Sequence, residues 1–243
     1  MEIQGRVALV TGGARRLGRE LALALARAGA DVVINYFRSA AEAEATVQDI
    51  VALGRRAIAV QGDVSRNADV TALIRRTAEV FGRLDILVNS ASTFEQSPLL
   101  AVDEAAWDRV LAVNLKGPFL LSQAAVPLLR RDGGGVIINL ADLSALQPWP
   151  SYPHHSVSKA GLVHLTRVLA RALAPDIRAN CIAPGTVLPP DDATEEELRV
   201  SRDRTVLKRL GRPENVARAL LYLVENDYVT GEILVVDGGR MLI

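Results

Sequence analysis

The amino-acid sequence predicts one α/β domain, a parallel β-sheet with helices on both faces. Three observations carry the prediction. Short apolar, β-branched runs alternate along the chain with longer Ala/Leu/Arg segments of helical period. The short runs are apolar throughout, the pattern of strands buried on both faces. A chain of 243 residues, 49% of them hydrophobic, can also bury a sizeable core as a single domain over 1–243.

The first strand is read in "RVALVTG" and is followed by a helix over 16–29. The unit repeats as "DVVINYF" with a helix over 40–54, then "RAIAVQGD" with a helix over 67–82. Next come "LDILVNSAS", helices within 103–131, and "GGVIINLAD". A long helix near 156–173, with its first turn opening near Pro153, leads to "IRANCIAPG", a helix around 213–224 and "EILVVDGG". Gly29, Gly54 and Gly82 end helical segments where a left-handed cap is needed. The stretch "PGTVLPPDDATEEELRVSRDRT" lacks a clean apolar stripe until its end, and is expected to form a substrate lid or surface excursion near 186–207.

Positive and negative charges balance at 28 each, so no global field favours nucleic acid or an anionic membrane, and the expected partner is a small molecule. The lone Cys181, between apolar neighbours, reads as a small buried hydrophobe and fits a reducing compartment. Glu2 stands where a signal peptide would carry positive charge, and no run reaches spanning length, so a cytoplasmic location is expected. No metal site is assigned.

Between the first strand and first helix stands "TGGARRLG", with Gly12, Arg15, Arg16, Leu17 and Gly18. Glycines there let the backbone approach a pyrophosphate, whose charge the helix N-terminus meets. The GxGxxG pattern is not kept, because Arg16 occupies the expected middle glycine. At the end of the second strand an NAD-selective site would place a carboxylate on the ribose 2′-hydroxyl. This chain offers Asn35, Arg38 and Ser39, beside Tyr36, and a guanidinium with a hydroxyl suits a 2′-phosphate, so NADPH is expected over NADH. Asp63 and Val64 follow the third strand, placed to receive the adenine.

With "TGGARRLG", "LVNSAS", Asn114 in "NLKG", "HSVSK", "IAPG" and "VVDGG" in this order, the whole chain resembles the short-chain dehydrogenase/reductase family. The resemblance implies a doubly wound, seven-stranded Rossmann-type sheet, usually in a homotetramer, moving hydride between NAD(P) and a carbonyl, an imine or their reduced forms. It implies that Asn89, Ser90, Ala91 and Ser92 line the adenine and ribose side. Asn114 and Lys159 would anchor a water relay, Lys159 would hold the nicotinamide ribose, and Pro184, Gly185 and Thr186 would contact the carboxamide. Within the family, "ARRLG", "FRSAAEAE" and "NSASTF" are similar to the pteridine reductases, as is Asp142 where most members have serine. That similarity implies that Arg16 reaches cofactor phosphate and substrate, and that Phe94 stacks on a pterin.

The family places its acidic tyrosine four residues before the lysine, and here that place holds His155. A nearby Lys159 cation disfavours imidazolium, whereas an Asp142–His155 pair could hold it and make a serviceable acid. Tyr152, seven residues before Lys159, is an alternative donor, and its place beside the site also makes it a substrate contact. His154 is expected on the surface or at an interface, and Trp149 as a loop wall or substrate cover. Three functions stand open. The first is an NADPH-dependent reductase of a pterin or other small planar carbonyl or imine. The second is a general carbonyl or 3-oxoacyl-thioester reductase. The third is an NADP(H)-binding protein of impaired catalysis.

Overall fold

The sheet contains β1 (Val7–Thr11), β2 (Asp31–Tyr36), β3 (Ala57–Gln61), β4 (Ile86–Asn89), β5 (Gly135–Leu140), β6 (Ile177–Pro184) and β7 (Ile233–Val236) in the computed structural model, which describes residues 1–189 and 192–243. The strands run in the order β3-β2-β1-β4-β5-β6-β7 and every neighbouring pair is parallel. Val10 pairs with Ile34 on one side and Val88 on the other, which fixes β1 at the centre of the winding. The order reverses between β1 and β4, where a doubly wound sheet opens a crevice at its carboxyl edge.

Alternate residues of β1 feed two cores because successive strand side chains point to opposite faces. Ala8 and Val10 pack with α1 (Arg16–Arg27), α2 (Ala40–Ala52) and α8 (Pro213–Glu225), through Leu21, Leu25, Ile50 and Leu220. Val7 and Leu9 pack with α3 (Asn67–Phe81), α5 (Gly117–Leu129) and α6 (Pro153–Leu173), through Leu73, Leu121 and Leu169. Burying each such aliphatic side chain contributes about 1.5–3 kcal/mol, so the two layers hold the sheet edge rigid beneath the crevice.

Gly29, Gly54 and Gly82 all adopt positive φ at or just past the ends of α1, α2 and α3, as expected. Two segments depart from the sequence pattern. The helical region before β5 is divided into α4 (Glu104–Leu111) and α5 by a π turn, Ala112–Lys116. The excursion near 186–207 contains α7 (Glu195–Asp203), started by a capping box in which Glu197 Oε2 accepts from the Thr194 amide at 2.8 Å. Pro190 and Asp191, within that excursion, lie outside the described residues. No helix among the described residues is long and apolar enough to cross a membrane.

Candidate active site

The carboxyl ends of β1, β2, β4 and β5 open onto a cavity of about 970 Å³. Gly12, Arg15, Arg16, Leu17 and Gly18 line one end of it. A Cβ on Gly18 would collide with the carbonyl oxygen of Gly12, and one on Gly12, at φ 62°, would lie 3.0 Å from Ala91 Cα. The turn therefore needs glycine at both places to close. Arg16 holds φ 52°, which explains why glycine is the usual residue at its position. Its Nη2 donates to the carbonyls of Leu188 (3.0 Å) and Pro189 (3.3 Å), tying the turn to the excursion after β6.

Tyr36, Arg38 and Ser39 line the same cavity, and the Arg38 guanidinium lies 5.0 Å from the Phe37 ring. Asn35 also borders it, but donates its amide to the Gly62 carbonyl at 3.0 Å. Asp63, Val64, Ser90, Ala91 and Ser92 complete this side. The amides of Ser90 and Ala91 are pinned by Thr11 Oγ1 at 3.0 and 3.1 Å. Asn89 lies elsewhere than expected: it is buried beneath this floor and donates to Asn139 Oδ1 at 2.8 Å. Its side chain links β4 to β5 because Asn89 and Asn139 are register partners on these adjacent parallel strands. Pro184, Gly185 and Thr186 also lie outside the lining of this cavity; Thr186 borders a second one, of about 300 Å³.

The remaining wall carries Phe94, Asp142, His155 and Lys159. Asp142 follows β5 and starts a short turn, its Oδ1 accepting from the Ser144 amide at 2.8 Å. Its Oδ2 lies 2.6 Å from His155 Nε2. His155 and Lys159 stand one helical turn apart on α6. Lys159 Nζ donates to the Leu140 carbonyl at 2.8 Å. Burial pushes the Lys159 ammonium down, and the Asp142 charge opposes that shift. Burial by itself would raise the Asp142 carboxyl, but the His155 hydrogen bond and the Lys159 charge outweigh it and hold the group below its ordinary value.

Asn114 sits inside the π turn, fully buried. Such turns recur at functional sites because they aim a side chain out of helical register. The Thr93 amide donates to Asn114 Oδ1 at 2.8 Å, and this fixes the orientation of the side-chain amide. Asn114 Nδ2 then faces the Thr93 carbonyl at 3.0 Å, Ser158 Oγ at 3.1 Å and His155 Nδ1 at 3.3 Å. Its two hydrogens are used by the two shorter contacts. His155 Nδ1 is also 3.2 Å from the Thr93 carbonyl, to which it can donate. With Nδ1 protonated, a single proton lies on the line between His155 Nε2 and Asp142 Oδ2.

The aromatic residues gather beside this pair. Phe94 stacks on Tyr152 at 4.4 Å with planes 19° apart, and meets the His155 ring edge-on at 4.7 Å. Trp149 packs edgewise against both Phe94 and Tyr152, forming the loop wall expected of it. The Tyr152 hydroxyl donates to Gln96 Oε1 at 3.3 Å, and Tyr152 does not line the large cavity. His154 contradicts the sequence expectation: it is fully buried, not at the surface. Its helix turn is closed over, because α6 packs on α4 and the Ser97 amide bonds the Ser151 carbonyl at 3.0 Å. No sequence feature points to the Thr93 carbonyl as a partner for His155, since a backbone acceptor leaves no side-chain signature.

The glycine turn, the guanidinium and hydroxyl at the end of β2 and the buried lysine fit a dinucleotide cofactor along the crevice. A family model described as enoyl-(acyl carrier protein) reductase matches residues 12–240. A short-chain dehydrogenase from Burkholderia cenocepacia, solved in complex with NADP, superposes with a TM-score of 0.92 at 37% identity, covering 99% of this chain and 100% of that one. The chain belongs to the short-chain dehydrogenase/reductase family. Among relatives, the (2S)-[(R)-hydroxy(phenyl)methyl]succinyl-CoA dehydrogenase subunit BbsD of Thauera aromatica is 39% identical over 247 residues, spanning 100% of this chain and 99% of that protein. A 3-oxoacyl-[acyl-carrier-protein] reductase of Synechocystis is 35% identical over 248 residues, spanning 99% and 98%. As a short-chain dehydrogenase/reductase, the protein is an NAD(P)-dependent oxidoreductase built on the family's seven-stranded sheet.

Proposed function

We propose that this short-chain dehydrogenase/reductase transfers hydride between NADP(H) and a small planar carbonyl or imine compound, with Asp142 and His155 handling the proton as one unit. The observation that carries the reading is the 2.6 Å contact between His155 Nε2 and Asp142 Oδ2 on the cavity wall. His155 takes the place of the family's tyrosine, one turn before Lys159. When bound, the cofactor supplies or accepts the hydride. Lys159, Arg38, Ser39 and the glycine turn are the residues that would hold it, Arg38 and Ser39 on a 2′-phosphate.

Reduction places negative charge on the substrate oxygen or nitrogen, and a positioned group must give it a proton. The Asp142 side chain is 22% exposed and that of His155 only 2%, so Asp142 is the partner that meets substrate. The proton passes along the 2.6 Å contact from His155 Nε2 through Asp142 Oδ2 to the substrate atom, which leaves Asp142 as the carboxylate its lowered pKa favours, while His155 Nδ1 keeps its own proton on the Thr93 carbonyl. The bare carboxylate left behind faces the Lys159 charge, which limits the cost of that state. A proton from solvent in the cavity reloads the pair. In oxidation the same carboxylate accepts the hydroxyl proton. Tyr152, bonded to Gln96 and stacked on Phe94, serves as wall and not as donor.

Phe94, 56% exposed and on the cavity, offers a flat apolar surface for a planar substrate such as a pterin, in line with the pteridine-reductase similarity. A second reading, a general carbonyl or 3-oxoacyl-thioester reductase, draws on one observation: Tyr152 already covers one face of Phe94. The relative acting on a hydroxy(phenyl)methyl group and the 3-oxoacyl reductase are compatible with it. Consumption of NADPH by the purified protein with dihydrobiopterin, an aryl ketone and a 3-oxoacyl thioester tests both. Turnover of the pterin or the ketone is expected. Turnover of the thioester with none of the pterin selects the second reading, and NADPH binding without oxidation of any of the three overturns both in favour of a non-catalytic cofactor-binding protein.

A further inference from the structure

Arg240 lies beyond the last strand, close to the aromatic wall of the active site. Its Nη1 donates to Thr186 Oγ1 at 2.9 Å, immediately after the carboxyl end of β6. Its guanidinium carbon lies 5.9 Å from the Trp149 ring centroid, and Trp149 in turn packs on Phe94, which lines the large cavity. The guanidinium is thus held from two sides and partly removed from water. Among the described residues it forms no ion pair, and Nε and Nη2 make no hydrogen bond. That edge carries parallel N–H groups whose spacing matches two oxygens of one carboxylate.

The neighbouring groups leave the free edge of the guanidinium to an anion. Asp237 is near, but its two oxygens accept from the amides of Gly239 and Met241, both at 2.8 Å, so it caps a turn and makes no ion pair with Arg240 among the described residues. Arg204 adds a second positive charge in the vicinity.

We propose that Arg240 forms a carboxylate subsite beside the reaction centre, and that the substrate is a carbonyl or hydroxy compound bearing an acid group that this arginine grips. The proposal deepens the functional reading above and rests on it for the location of the reacting carbon. Among planar carbonyl compounds it favours an oxo acid or hydroxy acid over a neutral one.

The test is calorimetric titration of the full chain, saturated with NADP, with benzoate and with its neutral counterpart benzamide, in the wild type, Arg240→Gln and Arg240→Lys. Benzoate is expected to bind at least about tenfold more tightly than benzamide to the wild type. Arg240→Gln should erase that preference with an unchanged thermal unfolding midpoint, and Arg240→Lys should keep part of it. Equal binding of the two ligands, or an undiminished preference in Arg240→Gln, overturns the subsite. Displacement of benzoate by inorganic phosphate at similar concentrations overturns the assignment to a carboxylate. If benzoate discrimination holds while no carbonyl compound consumes NADPH, the functional reading fails and the subsite stands.

Discussion

His155 Nε2 and Asp142 Oδ2 meet at 2.6 Å across thirteen residues of sequence, with the ring buried and the carboxylate open to the cavity. A pair sharing one proton acts as a unit, so removing either member should remove the whole effect. Asp142→Asn and His155→Ala are each expected to lower kcat by about 10²- to 10⁴-fold. The double variant should be no worse than the poorer single one. Losses that multiply in the double variant would show two independent roles.

The family's own solution, serine and tyrosine, can be placed on this backbone. His155→Tyr by itself restores the family's phenol one turn before Lys159, beside an aspartate that the pteridine reductases also carry, and should preserve or raise activity although the bond to the Thr93 carbonyl is lost. Adding Asp142→Ser removes the opposing charge and should raise kcat above that of the single variant. Steady-state kinetics on the three proteins decide the matter. A double variant slower than His155→Tyr would show that Asp142 helps whichever acid stands at 155.

The sheet was legible because two-sided burial writes itself as unbroken apolar runs, and Val7–Thr11 is buried at every residue. The Asp142–His155 pair was legible through the family resemblance, which brings the positions of its serine and tyrosine together in the site. Other parts of the site depend on packing that no local pattern encodes. His154 follows the same helical rule as any exposed first-turn residue until a loop and α4 close over it. Asn89 looks like a cofactor contact in "LVNSAS", but its side chain is spent on Asn139, its register partner on the neighbouring strand β5. The stack of Phe94 on Tyr152 joins residues 58 apart through two irregular loops, where neither period nor propensity operates.

Arg38 lines the cavity beyond β2 without an ion pair among the described residues. A 2′-phosphate there would gain a charge-assisted hydrogen bond worth about 1.5–3 kcal/mol, absent for the 2′-hydroxyl of NADH. Arg38→Ala should therefore weaken NADPH by about 10- to 100-fold and leave NADH nearly unchanged. Fluorescence titration with both nucleotides measures this, and equal losses would refute the 2′-phosphate role.

Asp142 also ties stability to pH. Its carboxyl is held below the ordinary value in the folded state, so the unfolded chain binds the proton more readily. The ionised group thus stabilises the fold above the ordinary carboxylate range, near pH 4. That contribution is lost as pH falls through the folded value. Urea unfolding of the wild type and Asp142→Asn from pH 7 to pH 3 should show the difference between them shrinking toward the acid end. A constant difference would mean that the carboxylate charge contributes nothing to folding.

Cys181 lies at the centre of β6, fully buried, with its thiol pushed up to about 11 by that burial. Reaction with a disulfide reagent needs the thiolate, and at pH 8 such a group is ionised only about one part in a thousand. Access is closed as well, because the residue pairs with Asn139 on one side and Ile233 on the other. The two effects multiply, so labelling of the native protein should require opening of the sheet. Its rate at pH 8 is expected to follow the fraction unfolded across a urea series, and saturating cofactor should slow it further by favouring the folded state. Rapid stoichiometric labelling without denaturant would place Cys181 in an accessible, activated setting and contradict its role as a packing residue.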